Sequence, residues 1–275
     1  MLTKSTTSTK EQVIKELEKS IQKLYDESIM LKFKGDIQTA KDKCSFALEK
    51  FFDFKSKNQD YFNIELEFGI KLNLGLIYQA LNQLEEAKNV YQDILKNETY
   101  YSPGIQHNRI RVNLGNIFFT IAGQKNDPKE KLQNYKSAIT EYRKAVDKIN
   151  KENKELKSNI MKNIALCHIK LGNYPDAIEV YTDALKLNPD IRTALNLLLC
   201  HLAVGEIEQT KNVFNIMLEV SSIGDAELQD VNENKQEMDA LKEYLLVRKK
   251  DVFYFLNCLE CSINREYSID NYSLY

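Results

Sequence analysis

Residues 158–188 read SNIMKNIALCHIKLGNYPDAIEVYTDALKLN, and their spacing decides the fold. The first half carries Ile164 and Ala165, then a ring at His168; the second carries Ala177, Tyr181 and Ala184. Residues three, four and seven apart share one face of an α-helix, so each half presents one stripe to a neighbour. Ala165 and Ala177 are twelve residues apart with Gly172 between them, a residue suited to end a helix and reverse the chain. Small residues let two helices approach closely, and the ring fills the space beside that contact. The segment predicts a helix, a short turn and a second helix packed back on the first.

The same pattern recurs outward from this stretch. Its first half returns as Leu74-Gly75-x-x-Tyr78, as Leu114-Gly115-x-x-Phe118 and, without the small residue, as Leu197-Leu198-x-x-His201. Its second half returns as Ala138-x3-Tyr142-x2-Ala145 and Ala87-x3-Tyr91-x2-Ile94. Weaker copies are Ala40-x3-Cys44-x2-Ala47 and Thr210-x3-Phe214-x2-Met217. Gly35 and Gly205 take the turn position of Gly172, and Asn82 holds it in the second unit. From Gly75 to Ala87 is again twelve residues, and Gly172 to Gly205 is 33. One interval departs: Gly115 to Ala138 is 23 residues, eleven longer, with the extra stretch close to AGQKNDPKEKL. That stretch is expected as a surface loop or an extension of the helical hairpin. Tyr135 to Lys157 reads as one long charged helix whose last part, KINKENKELK, projects beyond the stack.

Composition agrees with helices joined by short turns. Only 9 Gly and 4 Pro occur in 275 residues, too few for many β-turns. The 38 basic and 40 acidic residues leave a net charge of -2, which gives no sign of a nucleic-acid surface. The first residues, MLTKSTTSTKEQ, are polar, and no stretch approaches the roughly 18 to 20 apolar residues that span a bilayer. A soluble intracellular chain is expected, with its five cysteines (Cys44, Cys167, Cys200, Cys258, Cys261) as free thiols.

These motifs resemble the tetratricopeptide repeat (TPR) family, whose unit is about 34 residues. The order of the units resembles more narrowly the Polaris-type TPR subunits of intraflagellar transport complex B. The stretches that carry this are Asn108-Arg-Ile-Arg-Val-Asn-Leu-Gly-Asn-Ile, Met161-Lys-Asn-Ile, Asn188-Pro-Asp followed by Ala194-Leu-Asn-Leu, and Ala203-Val-Gly-Glu. The resemblance covers roughly residues 10 to 220. It implies an all-α, TPR-like α-solenoid of about five helix-turn-helix units with a C-terminal helical segment. A polar segment and the start of a capping helix (Glu11 to Tyr25) would occupy 1–20. The array would run over 21–225, with a weak unit at 21–54 and others at about 68–101, 108–157, 158–190 and 191–224. A charged helix and irregular tail would fill 226–275, where Asp239 to Asp251 still resembles the family and VFYFLNCLECSINREYSIDNYSLY does not.

By the same resemblance the expected function is a non-catalytic protein–protein scaffold. It would be a structural subunit of intraflagellar transport B, needed for cilium assembly and for cargo transport along the axoneme. Partners would be other subunits of that complex, in the cilium, the ciliary basal body and the cytoplasm. No nucleic acid, membrane insertion, small-molecule substrate or cofactor is expected. The alternative is a TPR adapter or co-chaperone-like binding module in another cytoplasmic assembly.

Candidate chemistry is sparse. Cys167-His168 and Cys200-His201 look like metal-ligand pairs, but they lie one repeat apart at positions filled elsewhere by Ile77-Tyr78 and Ile117-Phe118, which marks packing. Cys258-x-x-Cys261 has no second pair at zinc-finger spacing. No phosphate-binding, dinucleotide, zinc-protease or serine-hydrolase motif occurs, so no catalytic residue and no metal ligand is assigned. In TPR arrays the first helix of each unit lines a groove. The groove-facing set would be Leu72, Leu76, Val112, Asn116, Phe119, Leu166, Ile169, Leu195, Leu199 and Leu202. It is mostly apolar, which suits an amphipathic or extended peptide. TPR co-chaperones that hold C-terminal carboxylates present Lys, Asn and Arg there; this chain offers only Asn116 and a few bases such as Arg109 and Lys162.

Overall fold

The computed structural model describes residues 3–58, 63–97, 101 and 105–223. The described residues form ten α-helices and no strand. The chain divides into two compact units, one ending at Lys148 and the other beginning at Ile149. The charged helix and irregular tail expected over 226–275 lie outside the described residues.

The first unit holds three helical hairpins. They are α1 (Thr3–Phe33) with α2 (Ile37–Lys57), α3 (Ile64–Ala80) with α4 (Leu84–Lys96), and α5 (Ile105–Gln124) with α6 (Pro128–Asp147). The first helix of each later hairpin packs on the second helix of the one before: α3 on α2 and α5 on α4. The second unit repeats the plan with α7 (Lys154–Lys170), α8 (Tyr174–Leu187), α9 (Ile191–Ala203) and α10 (Ile207–Ile223), α9 packing on α8.

Side chains and backbone close the helix ends locally. Asp36, Asn63, Asp127, Asn153 and Asp190 each cap a helix N-terminus by accepting a backbone N–H. Four turns share one C-terminal device. The residue after the helix cap adopts a left-handed conformation: Gly35 at φ 86°, Asn82 at 56°, Gly172 at 72° and Gly205 at 79°. The next amide then reaches back five residues, as in Asn173 N–H to His168 C=O at 2.9 Å and Gln83 N–H to Tyr78 C=O at 2.9 Å. This is the paired-bond cap that satisfies the last carbonyls of a helix. Asn82 alone bears a Cβ in that conformation. Asn82→Gly is therefore expected to stabilise the chain by up to about 1 kcal/mol; a lowered melting temperature would assign the Asn82 side chain a role that the structure does not show.

Packing explains the small residues. A Cβ on Gly75 would meet the ring of Tyr91, with Cζ at 2.8 Å, and one on Gly115 would meet Cε1 of Tyr142 at 2.5 Å. The ring seated on each glycine thus comes from the second helix of the hairpin. The nearer rings, Tyr78 and Phe118, are only half-buried. Ala87, Ala138, Ala177 and Ala184 are fully buried, as close-contact residues should be.

Two expectations need revision, and one open alternative is resolved. The expected capping helix and the first helix of the weak unit are one helix, Thr3–Phe33. No glycine or proline interrupts that stretch. The charged helix expected over 135–157 ends at Asp147, and a new helix starts at Lys154. KINKENKELK lacks an apolar face to hold it on a neighbour, and Asn153 caps the new start by accepting from Leu156 N–H at 3.4 Å. The eleven extra residues are hairpin extension and not a loop. Past the glycine, α5 runs nine residues to Gln124, where α3 runs five to Ala80. Ahead of the alanine, α6 starts ten residues before Ala138, where α4 starts three before Ala87. The turn between them keeps three residues, Lys125 to Asp127. Phe119 meets Tyr135 edge-on at 5.4 Å at the base of the extension.

Candidate functional site

The groove-facing set divides between the units. In the first, Leu72 and Leu76 on α3 and Val112 and Phe119 on α5 are half-buried, and Asn116 is exposed. Leu72 leans on the core formed by α4 and α5. Two of these residues are engaged within their own hairpin. The Tyr142 hydroxyl donates to Asn116 Oδ1 at 2.6 Å, and Phe119 packs on Tyr135. In the second unit Leu166 and Ile169 on α7 and Leu195 and Leu202 on α9 are half-buried. Leu199 is 50% exposed. Each unit therefore offers a partly covered apolar strip along its first-position helices.

Sequence reasoning missed a polar ladder behind those strips. Asparagine stands just before the apolar residue that opens this motif in four units, at Asn73, Asn113, Asn163 and Asn196. Three of these bond the ring-position residue of the preceding second helix. Asn73 approaches Cys44 Sγ at 3.8 Å and also donates to Ser28 Oγ at 2.8 Å. Asn113 donates to the Tyr91 hydroxyl at 3.5 Å, and Asn196 bonds the Tyr181 hydroxyl. Amides enclosed in this way, buried at Asn73 and half-buried at Asn113 and Asn196, fix register between neighbouring hairpins, since a shifted helix would leave them unpaired. The signal was visible in the recurring Asn-Leu-Gly and Asn-Ile-Ala.

A buried charge network was also missed. Glu67 on α3 is 3% exposed, yet its carboxylate meets Lys55 of α2 at 2.9 Å, Lys71 at 3.1 Å and the Tyr101 hydroxyl at 2.7 Å. Lys71 continues to Asp93 of α4 at 2.6 Å. Burial opposes the charged carboxylate, but Lys55, Tyr101 and Lys71 together hold Glu67 below the ordinary carboxylate range. Burial likewise opposes the Lys71 ammonium, and Asp93, Tyr101 and Glu67 outweigh it and raise its pKa. The network joins three helices and donates no side chain to the strips, so its role is architectural.

The cysteine–histidine pairs lie in packing positions. Cys167 and Cys200 are buried in the core of the second unit, and burial raises their thiols to about 12 and about 11. Burial raises Cys44 to about 11 as well. His168 Nδ1 faces Asp176 of α8 at 3.5 Å, and His201 Nδ1 bonds Glu206 at 2.6 Å, tying the end of α9 to the turn that follows. No group of three ligating side chains forms a metal site among the described residues. The three thiols are expected to react with a thiol-specific reagent at pH 8 only as the protein unfolds; rapid labelling of Cys167 in the folded chain would contradict its burial.

The tetratricopeptide repeat family model matches residues 69–98 and 158–191. Three solved structures share the architecture. A crystal structure of BtubC (BKLC) from P. vanneervenii has a TM-score of 0.56 at 13% identity, covering 85% of this chain and 96% of that one. The Podosopora anserina putative kinesin light chain with nearly identical TPR-like repeats has a TM-score of 0.52 at 11% identity, covering 76% and 98%. MamA AMB-1 has a TM-score of 0.51 at 16% identity, covering 74% and 93%. The chain belongs to the tetratricopeptide repeat family. Within it, the chain is a relative of the human Intraflagellar transport protein 88 homolog, 31% identical over 215 residues, or 76% of this chain. It spans about a quarter of that relative's length, 24%.

Proposed function

We propose that this chain is a non-catalytic scaffold of intraflagellar transport complex B, working through protein contacts in cilium assembly and cargo movement along the axoneme. The similarity to the human intraflagellar transport protein, at 31% over 215 residues, carries this reading. The fold supports it: the conspicuous side chains are spent on packing, register and turn closure. Other subunits of the complex are the proposed partners, and the cilium, its basal body and the cytoplasm the proposed locations. The apolar strips, Leu72, Leu76 and Val112 in the first unit and Leu166, Ile169, Leu195, Leu199 and Leu202 in the second, are the proposed contact surfaces, with Asn116 and Phe119 at the edge of the first. The co-chaperone-like alternative is not favoured, because Lys162 is paired with Asp190 at 3.1 Å and Asn116 with Tyr142.

The test is a tagged copy of the chain expressed in a ciliated host. Ciliary localisation and co-purification with subunits of the complex are expected. A tagged, folded chain that stays out of cilia and captures none of those subunits would sink the proposal.

A further inference from the structure

We propose that the cleft between α4 and α6, away from the groove set, docks an acidic amphipathic helix of a partner protein. The cleft measures about 850 Å³, and three helical faces build it. The floor comes from α5, where Phe118 is half-buried one turn beyond the core residue Leu114, and the half-buried Leu95 on α4 adds apolar surface. The walls are α4 and α6, and both are polar toward the opening. A trough with an apolar floor and polar rims accepts a helix whose apolar side chains recur at i, i+4 and i+7.

Charge decides what flanks that stripe. The two acids that line the cleft are already engaged. Asp93 accepts from Lys71 at 2.6 Å, and Glu141 pairs with Arg111 at 3.0 Å and with Lys144 at 2.7 Å. Lys96 on one wall and Lys136 on the other are exposed, and no acid pairs with either among the described residues. One uncompensated cation on each rim calls for carboxylates on both flanks of the docked helix, and a basic helix would meet repulsion. The partner is thus defined as a helix with leucine-like residues on one face and glutamates or aspartates on both sides of it. The inference rests on the scaffold reading only in assuming a protein partner. It needs none of the residues assigned to the apolar strips.

The experiment uses the full chain and a fluorescent synthetic helix of about four turns. The helix carries leucine at i, i+4 and i+7 and glutamate on both flanks. Controls are the same peptide with lysine for glutamate and a scrambled glutamate peptide. Anisotropy should show binding of the glutamate helix alone, weakening as salt is raised. Lys96→Glu combined with Lys136→Glu should weaken it by about tenfold without changing the helical circular dichroism. Equal binding of the lysine helix, or no binding of the glutamate helix, overturns the proposal. So does binding that survives the charge reversal but is lost in Leu76→Ser, which would place the peptide on the α3 and α5 strip. None of these outcomes depends on whether the chain enters cilia.

Discussion

Glu67→Gln is expected to destabilise the first unit by about 3 kcal/mol, toward the lower end of the cost of breaking a buried ion pair. The change keeps the side chain's size but removes the charge between Lys55 and Lys71 and replaces one acceptor oxygen with an NH2 that can only donate. The cost stays toward the lower end because Lys71 keeps Asp93 at 2.6 Å. A loss of that size lowers the melting temperature by about 6–12 °C in a unit of this size. The sign with pH follows from the lowered pKa. A carboxyl held below its ordinary value of 4.5 adds stability that is fully present above that value. That contribution fades as pH falls through the folded-state pKa. Wild type should therefore lose more stability than Glu67→Gln when acidified below about pH 4.5. Parallel melting curves from pH 7 to pH 3 for the two proteins would refute the assignment.

Gly75→Ala is expected to cost about 2–3 kcal/mol, although alanine is the better helix former. The added Cβ would press into the Tyr91 ring, whose Cζ lies 2.8 Å from the ideal position. That ring is fully buried, and its hydroxyl donates to Gln79 at 2.7 Å, so it has no free direction to move. A smaller residue at 91 should absorb the methyl group. Tyr91→Leu will itself destabilise, but the double variant should lose clearly less than the sum of the two single losses. Strict additivity, measured by urea denaturation, would show that the two residues do not press on each other. Ala165 stands at the corresponding place in the second unit and is fully buried. A Cβ is tolerable there because that hairpin is built around it.

The hairpins were legible because close helix contacts demand small residues at fixed intervals. Gly75, Ala87, Ala165 and Ala177 marked them, and Gly35, Asn82, Gly172 and Gly205 marked the turns. The length of α1 was not legible. A polar start with weak periodicity gives no reason to place its beginning at Thr3. Nor was the break at 148–153, because a lysine- and glutamate-rich run has high helix propensity and only the missing apolar face ends it. Glu67 and Lys71 were passed over because a charged pair four residues apart usually sits on a solvated face. Only the fold shows that Lys55, Asp93 and Tyr101 converge on them. On the groove strips, spacing along each helix was readable, but the prior claim of Tyr142 on Asn116 and of Tyr135 on Phe119 was not. Both claims come from α6, the second helix of the same hairpin.

The extension of α5 and α6 also restricts how this segment can vary in length. Four added residues turn a helix through about 400°, and seven through about 700°, so each returns almost to its starting bearing. The turn from Lys125 to Asp127 meets both arms on nearly the bearing of the shorter hairpin because both increments nearly close full revolutions. Two or five added residues in either arm would swing the tip's apolar side chains toward water. Length variants of this hairpin should therefore come in rungs of whole helical turns, like a telescoping ladder that locks only at its notches.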